Sequence, residues 1–246
     1  MIMKIYNKIK RKYRKYIVKK NFIFSDRILK YKKKSKKMNF EDFKKEFIYK
    51  DENWNYINNL NEYLDSIYNN KKKIDLYENN ECEKQKYKIS NNNIIIDEQK
   101  DNNWICFFIK ALDSKKYEVS YDVEIESSFE EIQIAFNYAN LGTRYRFMIR
   151  ENKIAAFDCV YKGRFYNNLY TKKCTLEYKK KYNIKLVVLD NKFMYMIDDI
   201  PILIIKEKRK IVSGKDLLLI FYNKTNEQPV KCKIKNFEIH NIIEDK

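Results

Sequence analysis

The sequence predicts a mainly β protein, an antiparallel β-sandwich preceded by a basic helical region at the N-terminus. From about residue 85 onward, apolar and polar residues alternate with a period of two in more than ten short runs. Pairs such as Glu151-Asn152, Asp190-Asn191 and Asp198-Asp199 mark turns between these runs, and no helical pattern intervenes. Residues 2–20 instead show helical periodicity.

Charge is distributed unevenly along the chain. Sixteen of the 52 lysine and arginine residues lie within residues 1–37 together with a single acid, Asp26, so this segment carries +15 of the net charge of +18. The other 209 residues hold 36 basic and 33 acidic side chains. We therefore expect a cationic arm whose partner is an anionic surface, and a nearly neutral body large enough to bury a core of its own.

Residues 2–20 predict a basic amphipathic helix. Its apolar stripe consists of Ile2, Ile5, Tyr6, Ile9, Tyr13, Tyr16 and Ile17. The cations expected to bind an anionic surface are Lys8, Lys10, Arg11, Lys12, Arg14, Lys15 and Lys19, with Lys33 and Lys34 from a second basic cluster. Three interpretations are open. The helix lies on an anionic bilayer, it binds nucleic-acid phosphates, or its stripe packs on the body and the cations are merely solvated.

The predicted domain organisation has four parts. The basic arm covers residues 1–37, a helical hairpin covers 38–70, a linker rich in Asn, Lys and Glu covers 71–84, and the β-sandwich covers 85–246. Alternation in the run Y-E-V-S-Y-D-V-E-I-E places its acids on one face of a strand. The opposite, buried face is expected to carry Tyr117, Val119, Tyr121, Val123 and Ile125.

Composition excludes several classes of site. Three glycines are too few for a phosphate-binding loop, and the single histidine, His240, leaves no histidine-based metal centre. Five cysteines without C-x-x-C spacing are expected to be reduced thiols, and we expect neither cofactor nor metal. No apolar run could span a membrane and no secretory signal is present, so we expect a cytoplasmic protein, peripheral to a membrane. An acid-poor basic N-terminus is also typical of a mitochondrial transit peptide.

Several strand signatures carry a resemblance to a known family. An opening strand W-I-C-F-F-I-K precedes the long strand Y-E-V-S-Y-D-V-E-I-E, then the hairpins Y-R-F-M-I-R-E-N-K-I-A-A-F and Y-N-I-K-L-V-V-L-D-N-K-F-M-Y-M-I-D-D-I-P-I-L, and finally the strand V-K-C-K-I-K-N-F-E-I-H-N-I. This order resembles the concanavalin A-like lectin/glucanase jelly roll, in its laminin G-like branch, over about residues 85–246. The resemblance implies an antiparallel jelly-roll β-sandwich with a glycan as its partner.

Three acidic residues on one strand are candidates for catalysis. Asp122, Glu124 and Glu126 alternate, so that a strand would present them on one face. Laminarinase-type enzymes of the resembled family use a similar E-x-D-x-E strand, with carboxylates acting as nucleophile and acid/base. A solvated outer strand face gives the same alternation, and we favour that interpretation.

The segment 161–170 is the better candidate for sugar binding. Sugar recognition uses flat aromatic faces against the apolar side of a pyranose, and amide or guanidinium groups for its hydroxyls. Tyr166, Asn168 and Tyr170 are expected to share one strand face, with Arg164 pointing the same way. The predicted ligand-binding residues are Tyr161, Arg164, Tyr166, Asn168 and Tyr170. Cross-strand aromatic packing is the alternative.

Taken together, these patterns predict a non-enzymatic carbohydrate-binding or interaction domain, tethered by a cationic N-terminal helix to an anionic membrane surface. One alternative is a glycoside hydrolase of the glucanase type. Another is a nucleic-acid-binding arm on a structural β-sandwich. Asp190, Asp198 and Asp199 could join a calcium site, as in some laminin G-like domains, but we interpret them as turn formers.

Overall fold

A computed structural model describes residues 2–39, 87–90, 93–99, 104–109, 115–127, 129, 131–140, 143–150, 153–212, 214, 216–222 and 230–245. Within these ranges the chain forms one helix and fifteen strands. The predicted helical hairpin, apart from its first two residues, and the predicted linker lie outside the described residues.

The strands belong to two antiparallel sheets, and the helix α1 (Ile2–Lys19) precedes them. The nine-stranded sheet contains β1 (Phe22–Phe24), β2 (Tyr31–Asn39), β3 (Tyr87–Ser90), β4 (Asn93–Gln99), β6 (Lys116–Ile125), β11 (Lys181–Leu189), β12 (Lys192–Ile197), β13 (Ile200–Glu207) and β15 (Val230–Glu244). The six-stranded sheet contains β5 (Trp104–Ile109), β7 (Glu131–Asn140), β8 (Thr143–Arg150), β9 (Ile154–Tyr161), β10 (Arg164–Lys173) and β14 (Asp216–Tyr222).

The strand order confirms the predicted fold class, an antiparallel jelly-roll β-sandwich preceded by a basic helix. The nine-stranded sheet runs β1-β13-β12-β11-β6-β15-β4-β3, with β2 also paired to β15. The six-stranded sheet runs β10-β9-β8-β7-β14-β5. Strand β10 is therefore an edge of the six-stranded sheet and β1 an edge of the nine-stranded one.

The core lies between the sheets and is rich in aromatic rings. The five residues predicted to face the core from β6, Tyr117, Val119, Tyr121, Val123 and Ile125, do belong to the core cluster. The polar residues between them, Glu118, Ser120 and Asp122, are buried too, so burial itself does not alternate along the strand. Facing strands contribute a connected group of rings with centroid separations of 5.0–5.9 Å: Phe136, Tyr145, Phe147, Phe157, Phe193 and Tyr195. Edge-to-face and offset pairs of this kind add stabilisation beyond the apolar area they bury.

Two strands of the nine-stranded sheet come from within the predicted arm. Strand β1 pairs with β13, and β2 pairs with the later half of β15, more than 190 residues away in sequence. Leu29, between the two strands, and Tyr31, the first residue of β2, pack on a second apolar cluster formed by Val187, Leu189, Met194, Met196, Ile204 and Ile242. The sandwich thus takes strands from both sides of the boundary predicted at residue 37.

The C-terminal end of α1 is fixed to the sandwich. Asn21 donates from Nδ2 to the carbonyls of Ile17 and Val18, both at 3.2 Å, and so satisfies groups that the helix end leaves open. Val18 is buried, and Phe22 enters the core edge-on to Tyr145. The helix therefore continues directly into a core-anchored strand.

Candidate functional site

A bulge in β10 displaces two asparagines from the regular strand. Pairing with β9 continues to Tyr166 and resumes only at Tyr170, so β10 has two residues more than β9 at this point. Asn168 has a φ of 53°, a left-handed conformation that asparagine tolerates better than most residues. Asn167 and Asn168 are exposed, whereas Leu169 is buried in the core. Bulges commonly re-aim side chains in this way.

Beneath the bulge, a buried ion pair lies on the outer face of the six-stranded sheet, the face opposite the core. Arg146 Nη2 is 2.8 Å from Asp158 Oδ2, and their side chains are 4% and 0% exposed. The guanidinium also donates to Gln133 Oε1 at 3.2 Å and to Asn167 Oδ1 at 3.1 Å. Asp158 Oδ1 accepts the backbone N–H of Asn168 at 2.6 Å. The ion pair therefore holds both bulged residues in place.

A second arginine extends this network toward solvent. Arg150 Nε donates to Glu131 Oε1 at 2.6 Å, and its Nη1 donates to Asn168 Oδ1. Its Nη2 lies 3.7 Å from Asp158 Oδ2. Both asparagine carboxamides are thus oriented by guanidinium groups that are themselves held by carboxylates.

Phe165 provides an aromatic surface beside the arginines. It pairs with Val160 of β9, on the outer face. The guanidinium carbons of Arg146 and Arg144 lie 5.2 and 5.6 Å from its ring centroid. Such cation–π contacts stabilise the arginines where the sheet removes them from water.

Asp158 acts through its neighbours because water does not reach it. Burial raises the pKa of its carboxyl, while Arg146, the backbone amide of Asn168 and Arg150 each act to lower it. A carboxylate so enclosed does not contact a ligand directly. Its role is to position Arg146 and the bulge.

The bulge presents two oriented hydrogen-bond donors. Guanidinium groups only donate, so the carboxamide atoms that face Arg146 and Arg150 must be the oxygens of Asn167 and Asn168. The amide nitrogens are left for other partners, and neither has one among the described residues. Pre-oriented donors beside an aromatic ring suit a ligand rich in hydroxyl groups.

The structure separates the residues that the sequence grouped as ligand-binding. Tyr161, Tyr166 and Tyr170 are partly buried against the core, and the hydroxyl of Tyr170 donates to the carbonyl of Phe22 at 2.9 Å. Asn168 lies toward the outer face instead, because the bulge shifts it out of the alternation. Arg164 pairs with Tyr161 across the strands and is half-buried. Whether these five bind a ligand stays a prediction.

Six residues of the network were not singled out from the sequence: Asn167, Arg146, Arg150, Asp158, Gln133 and Glu131. A signal for them does exist in the run R-Y-R-F-M-I-R of β8. Its arginines occupy the face opposite Tyr145, Phe147 and Ile149, which indicates a polar network opposite the core.

Asp122 and Glu124 of β6, and Glu126 directly after it, lie among basic and amide groups. Asp122 accepts from Lys181 at 2.7 Å, Asn183 at 2.9 Å and Asn236 at 2.6 Å. Glu126 accepts from Lys233, and Glu124 lies opposite Lys181 and Lys233 in the register.

This setting does not favour acid/base catalysis by Asp122. Burial raises the pKa of its carboxyl, but the hydrogen bonds from Lys181, Asn183 and Asn236 outweigh burial and bring the pKa below its ordinary value. A general acid needs the opposite shift. The geometry therefore agrees better with a polar outer strand face.

The turn aspartates have conformations typical of tight hairpins. Asp190, Asp198 and Asp199 have φ values of 53°, 49° and 62°. Asp198 accepts the backbone N–H of Asn183 at 2.7 Å, and Asp190 lies 3.0 Å from Lys116. The 190 and 198–199 turns close opposite ends of β12, roughly 20 Å apart for six residues of strand. They cannot share one calcium ion.

Five of the seven residues of the apolar stripe of α1 have described side chains, and all five face solvent. The exposed fractions are 60% for Tyr6, 62% for Ile9, 63% for Tyr13, 55% for Tyr16 and 47% for Ile17. Val18, which is 6% exposed, makes the contact with the core. At about 100° per residue, Ile9 and Tyr16 lie roughly 160–180° around the helix from Val18. The contact between α1 and the sandwich is therefore made by Val18 and not by Ile9 or Tyr16.

The cations of the arm differ in their surroundings. Lys10, Arg11, Lys12 and Lys19 are exposed, and Arg14 and Lys15 are half-buried. Lys33 forms a 2.8 Å ion pair with the buried Glu118, so its charge is matched within the sheet, whereas Lys34 is exposed. The side chain of Lys8 lies outside the description. No helix in the described part of the chain is long and apolar enough to cross a bilayer.

Comparison with known proteins finds similar folds only among solved structures. Neither a family model nor a curated protein sequence matches the chain. The carbohydrate-binding module CBM66 from Bacillus subtilis has a TM-score of 0.47 at 11% identity, over 63% of this chain and 91% of its own. A galectin-like protein of unknown function from Bacillus subtilis has a TM-score of 0.48 at 11% identity, over 65% and 88%. Sheep galectin-11 has a TM-score of 0.38 at 16% identity, over 55% and 98%.

By their names, these structures are a carbohydrate-binding module, a protein with a galectin-like fold and a galectin. At such identities and TM-scores the likeness carries no argument about a ligand. The function has to be argued from the residues of the chain itself.

Proposed function

We propose that the chain is a non-enzymatic carbohydrate-binding or interaction domain, tethered by α1 to an anionic membrane surface. The glycan contacts the β10 bulge, and the bilayer contacts the helix. The bulge and the exposed helix stripe lie on different elements, so each half of the proposal has its own test.

The observation that carries the glycan-binding half is the orientation of Asn167 and Asn168. Their oxygens are held by buried or half-buried arginines, so the two amide nitrogens are fixed before a ligand arrives. Preorganisation of this kind lowers the entropy lost on binding. Phe165 lies beside them and offers apolar contact for the C–H face of a sugar ring.

A glycan array probed with the full chain tests this half. The double variant Asn167→Ala, Asn168→Gly removes both amides, and glycine keeps the positive φ of residue 168 without strain. Thr171→Ala, an exposed residue of the same strand, is the matched control. We expect the wild type and Thr171→Ala to bind the same glycans and the double variant to lose at least tenfold in signal. Silence of the wild type on the array would reject glycan binding.

The tether is supported by the exposed stripe of α1 flanked by cations. A bilayer interface satisfies both features, because apolar side chains enter the acyl boundary while cations meet lipid phosphates. Nucleic acid would use the cations but leave Ile9, Tyr13 and Ile17 in water. The bilayer is therefore the better partner for this helix.

Sedimentation with vesicles tests the tether. The full chain is expected to bind phosphatidylcholine vesicles containing 30% phosphatidylserine, roughly as tightly as other basic amphipathic helices do, and to bind neutral vesicles weakly. The triple variant Ile9→Gln, Tyr13→Gln, Ile17→Gln keeps the charge and is expected to lose at least tenfold in affinity. Equal binding by this variant, or stronger binding to RNA than to vesicles, would contradict the membrane tether.

A further inference from the structure

A basic turn of the sandwich lies against the C-terminal end of α1. Lys208, Arg209 and Lys210 follow β13, and all three are exposed. The backbone N–H of Lys208 donates to the carbonyl of Asn21 at 2.7 Å. Residues almost 190 positions apart in the sequence are thereby brought to one place, which the charge distribution along the chain did not reveal.

Together the helix end and this turn form one cationic surface, here termed the basic joint: Lys19, Lys20, Lys208, Arg209 and Lys210. Residues 2–25 contain no acid. The acid nearest to the turn in sequence, Glu207, is 2% exposed and accepts from the hydroxyl of Tyr145 and the N–H of Ile211. Its carboxylate is turned into the protein, and of the cations of the joint Lys210 acts to lower its pKa, so Glu207 offsets at most that one charge.

The basic joint is rigidly attached to the sandwich. Phe22 is 3% exposed and lies 5.0 Å from Phe157, ring centroid to ring centroid. Lys19 Nζ lies 4.8 Å from the ring centroid of Tyr170 on β10. These contacts fix the direction in which α1 leaves the sandwich.

We propose that the basic joint is part of the same docking surface as α1 and binds the phosphate groups of an anionic phospholipid bilayer. The inference rests on the proposed tether and adds residues of the sandwich to it. A helix lying in the interface brings its own C-terminal end to headgroup level, and the turn is one backbone hydrogen bond from Asn21. Under this proposal the charges of the turn act on the lipid phosphates over no more than about a Debye length, about 8 Å at physiological ionic strength.

The docking surface gives the domain a fixed orientation on the bilayer. Ile23 and Phe24 of β1, the sheet edge beside the joint, are 40% and 41% exposed and extend the apolar contact. The edge of the nine-stranded sheet formed by β1 then faces the membrane.

Vesicle sedimentation of the full chain at 0.15 M salt tests the joint separately from the helix. The double variant Lys208→Gln, Arg209→Gln removes two cations from the joint. The control Lys179→Asn, Lys180→Gln removes two exposed cations from the opposite end of the nine-stranded sheet, beside Ile125, and asparagine suits the positive φ of residue 179. One cation near an anionic surface changes affinity by roughly fivefold. We therefore expect the joint variant to bind vesicles with 30% phosphatidylserine about tenfold or more weakly, and the control to change less than twofold.

The outcomes separate the inference from the function on which it rests. If the wild type binds these vesicles and the joint variant binds as well as the control, the inference is overturned and the helix alone docks. If the wild type binds neither vesicle type, or prefers RNA, the tether and the inference both fail. Circular dichroism and the unfolding midpoint of each variant show whether a loss of binding comes from a loss of folding. If the double variant is unfolded, vesicle binding by the single variant Lys210→Gln replaces it in the comparison with the control.

Discussion

Asp158 and Arg146 show how a single buried pair determines the shape of the candidate sugar site. The pair is almost fully removed from water, and every link to the bulge passes through it or through Arg150. Burying two charges is costly unless their remaining groups find partners, and Gln133 and Asn167 supply these. The pair is thus better understood as a positioning device than as a source of stability.

Arg146→Met is expected to destabilise the fold strongly, because it leaves the Asp158 carboxylate buried beside an apolar side chain. Removing one partner of a buried pair costs about 3–5 kcal/mol. Urea unfolding followed by far-UV circular dichroism measures the loss. Adding Asp158→Asn to Arg146→Met should restore part of the stability, since no charge then remains buried. A single variant as stable as the wild type would contradict the assigned role.

Glu207 is expected to make stability depend on pH. Burial raises the pKa of its carboxyl above the ordinary 4.5, although hydrogen bonds from Tyr145 and Ile211 oppose this. The folded protein therefore holds this proton more tightly than the unfolded chain. The resulting stabilisation is complete below pH 4.5 and is lost as the pH rises through the raised pKa.

Comparison with Glu207→Gln isolates this contribution. Unfolding free energies at several pH values should show the wild type losing stability relative to the variant above pH 4.5, by at most about 1.4 kcal/mol per pH unit. The glutamine keeps acceptors for Tyr145 and Ile211, so the comparison is matched in hydrogen bonding. A difference that is constant with pH, or that changes in the opposite direction, argues against a raised pKa.

At the scale of elements, β1 joins α1 to the core through one of its two phenylalanines. Phe22 is buried and Phe24 is 41% exposed on the same short strand. Phe22→Ala is expected to cost about 3–5 kcal/mol and to loosen α1, while Phe24→Ala should cost less than about 1 kcal/mol. Denaturant unfolding gives the two losses, and hydrogen exchange at residues 16–24 reports the loosening. Equal effects would mean that Phe22 is not the anchor.

The strands from β3 onward could be predicted because alternation and turn residues agree there. On β6 the buried set Tyr117, Val119, Tyr121, Val123 and Ile125 follows directly from period two. The segment 175–178 has a similar pattern and predicts a strand, but the chain is irregular there. The backbone N–H of Glu177 donates to the hydroxyl of Tyr182 instead of to a neighbouring strand.

Strands β1 and β2 could not be predicted, for two physical reasons. Strand β1 has only three residues, too few to show a period. Five of the nine residues of strand β2, Y-K-K-K-S-K-K-M-N, are lysine, and its pairing depends on β15 rather than on its own pattern. The bulge in β10 could not be predicted either. Its two extra residues move Asn168 to the other face of the strand, and nothing in the composition of β10 indicates where they are inserted.

At the scale of the molecule, the N-terminal strands should matter more to stability than the helix before them. Removal of residues 1–20 deletes α1 and leaves β1 and β2. Removal of residues 1–39 also uncovers the six apolar residues beneath Leu29 and Tyr31, and leaves Glu118 without Lys33. We expect thermal unfolding to show a small shift for the first deletion and a fall in Tm of about 10 °C or more for the second. Similar Tm values for both would mean that β2 adds little to the sheet.

Strand β15 occupies the interior of the nine-stranded sheet although it is the latest strand in the chain. It pairs with β6 along one edge and with β4 and β2 along the other. During synthesis on the ribosome, the edges of β6, β4 and β2 that pair with β15 therefore keep unpaired backbone groups until residue 244 has been added. Non-local pairing of this kind slows folding and leaves strand edges exposed to other chains. The lysines of β2 would then protect the chain during synthesis, because repulsion between the lysines of two nascent chains opposes edge-to-edge association of their β2 strands.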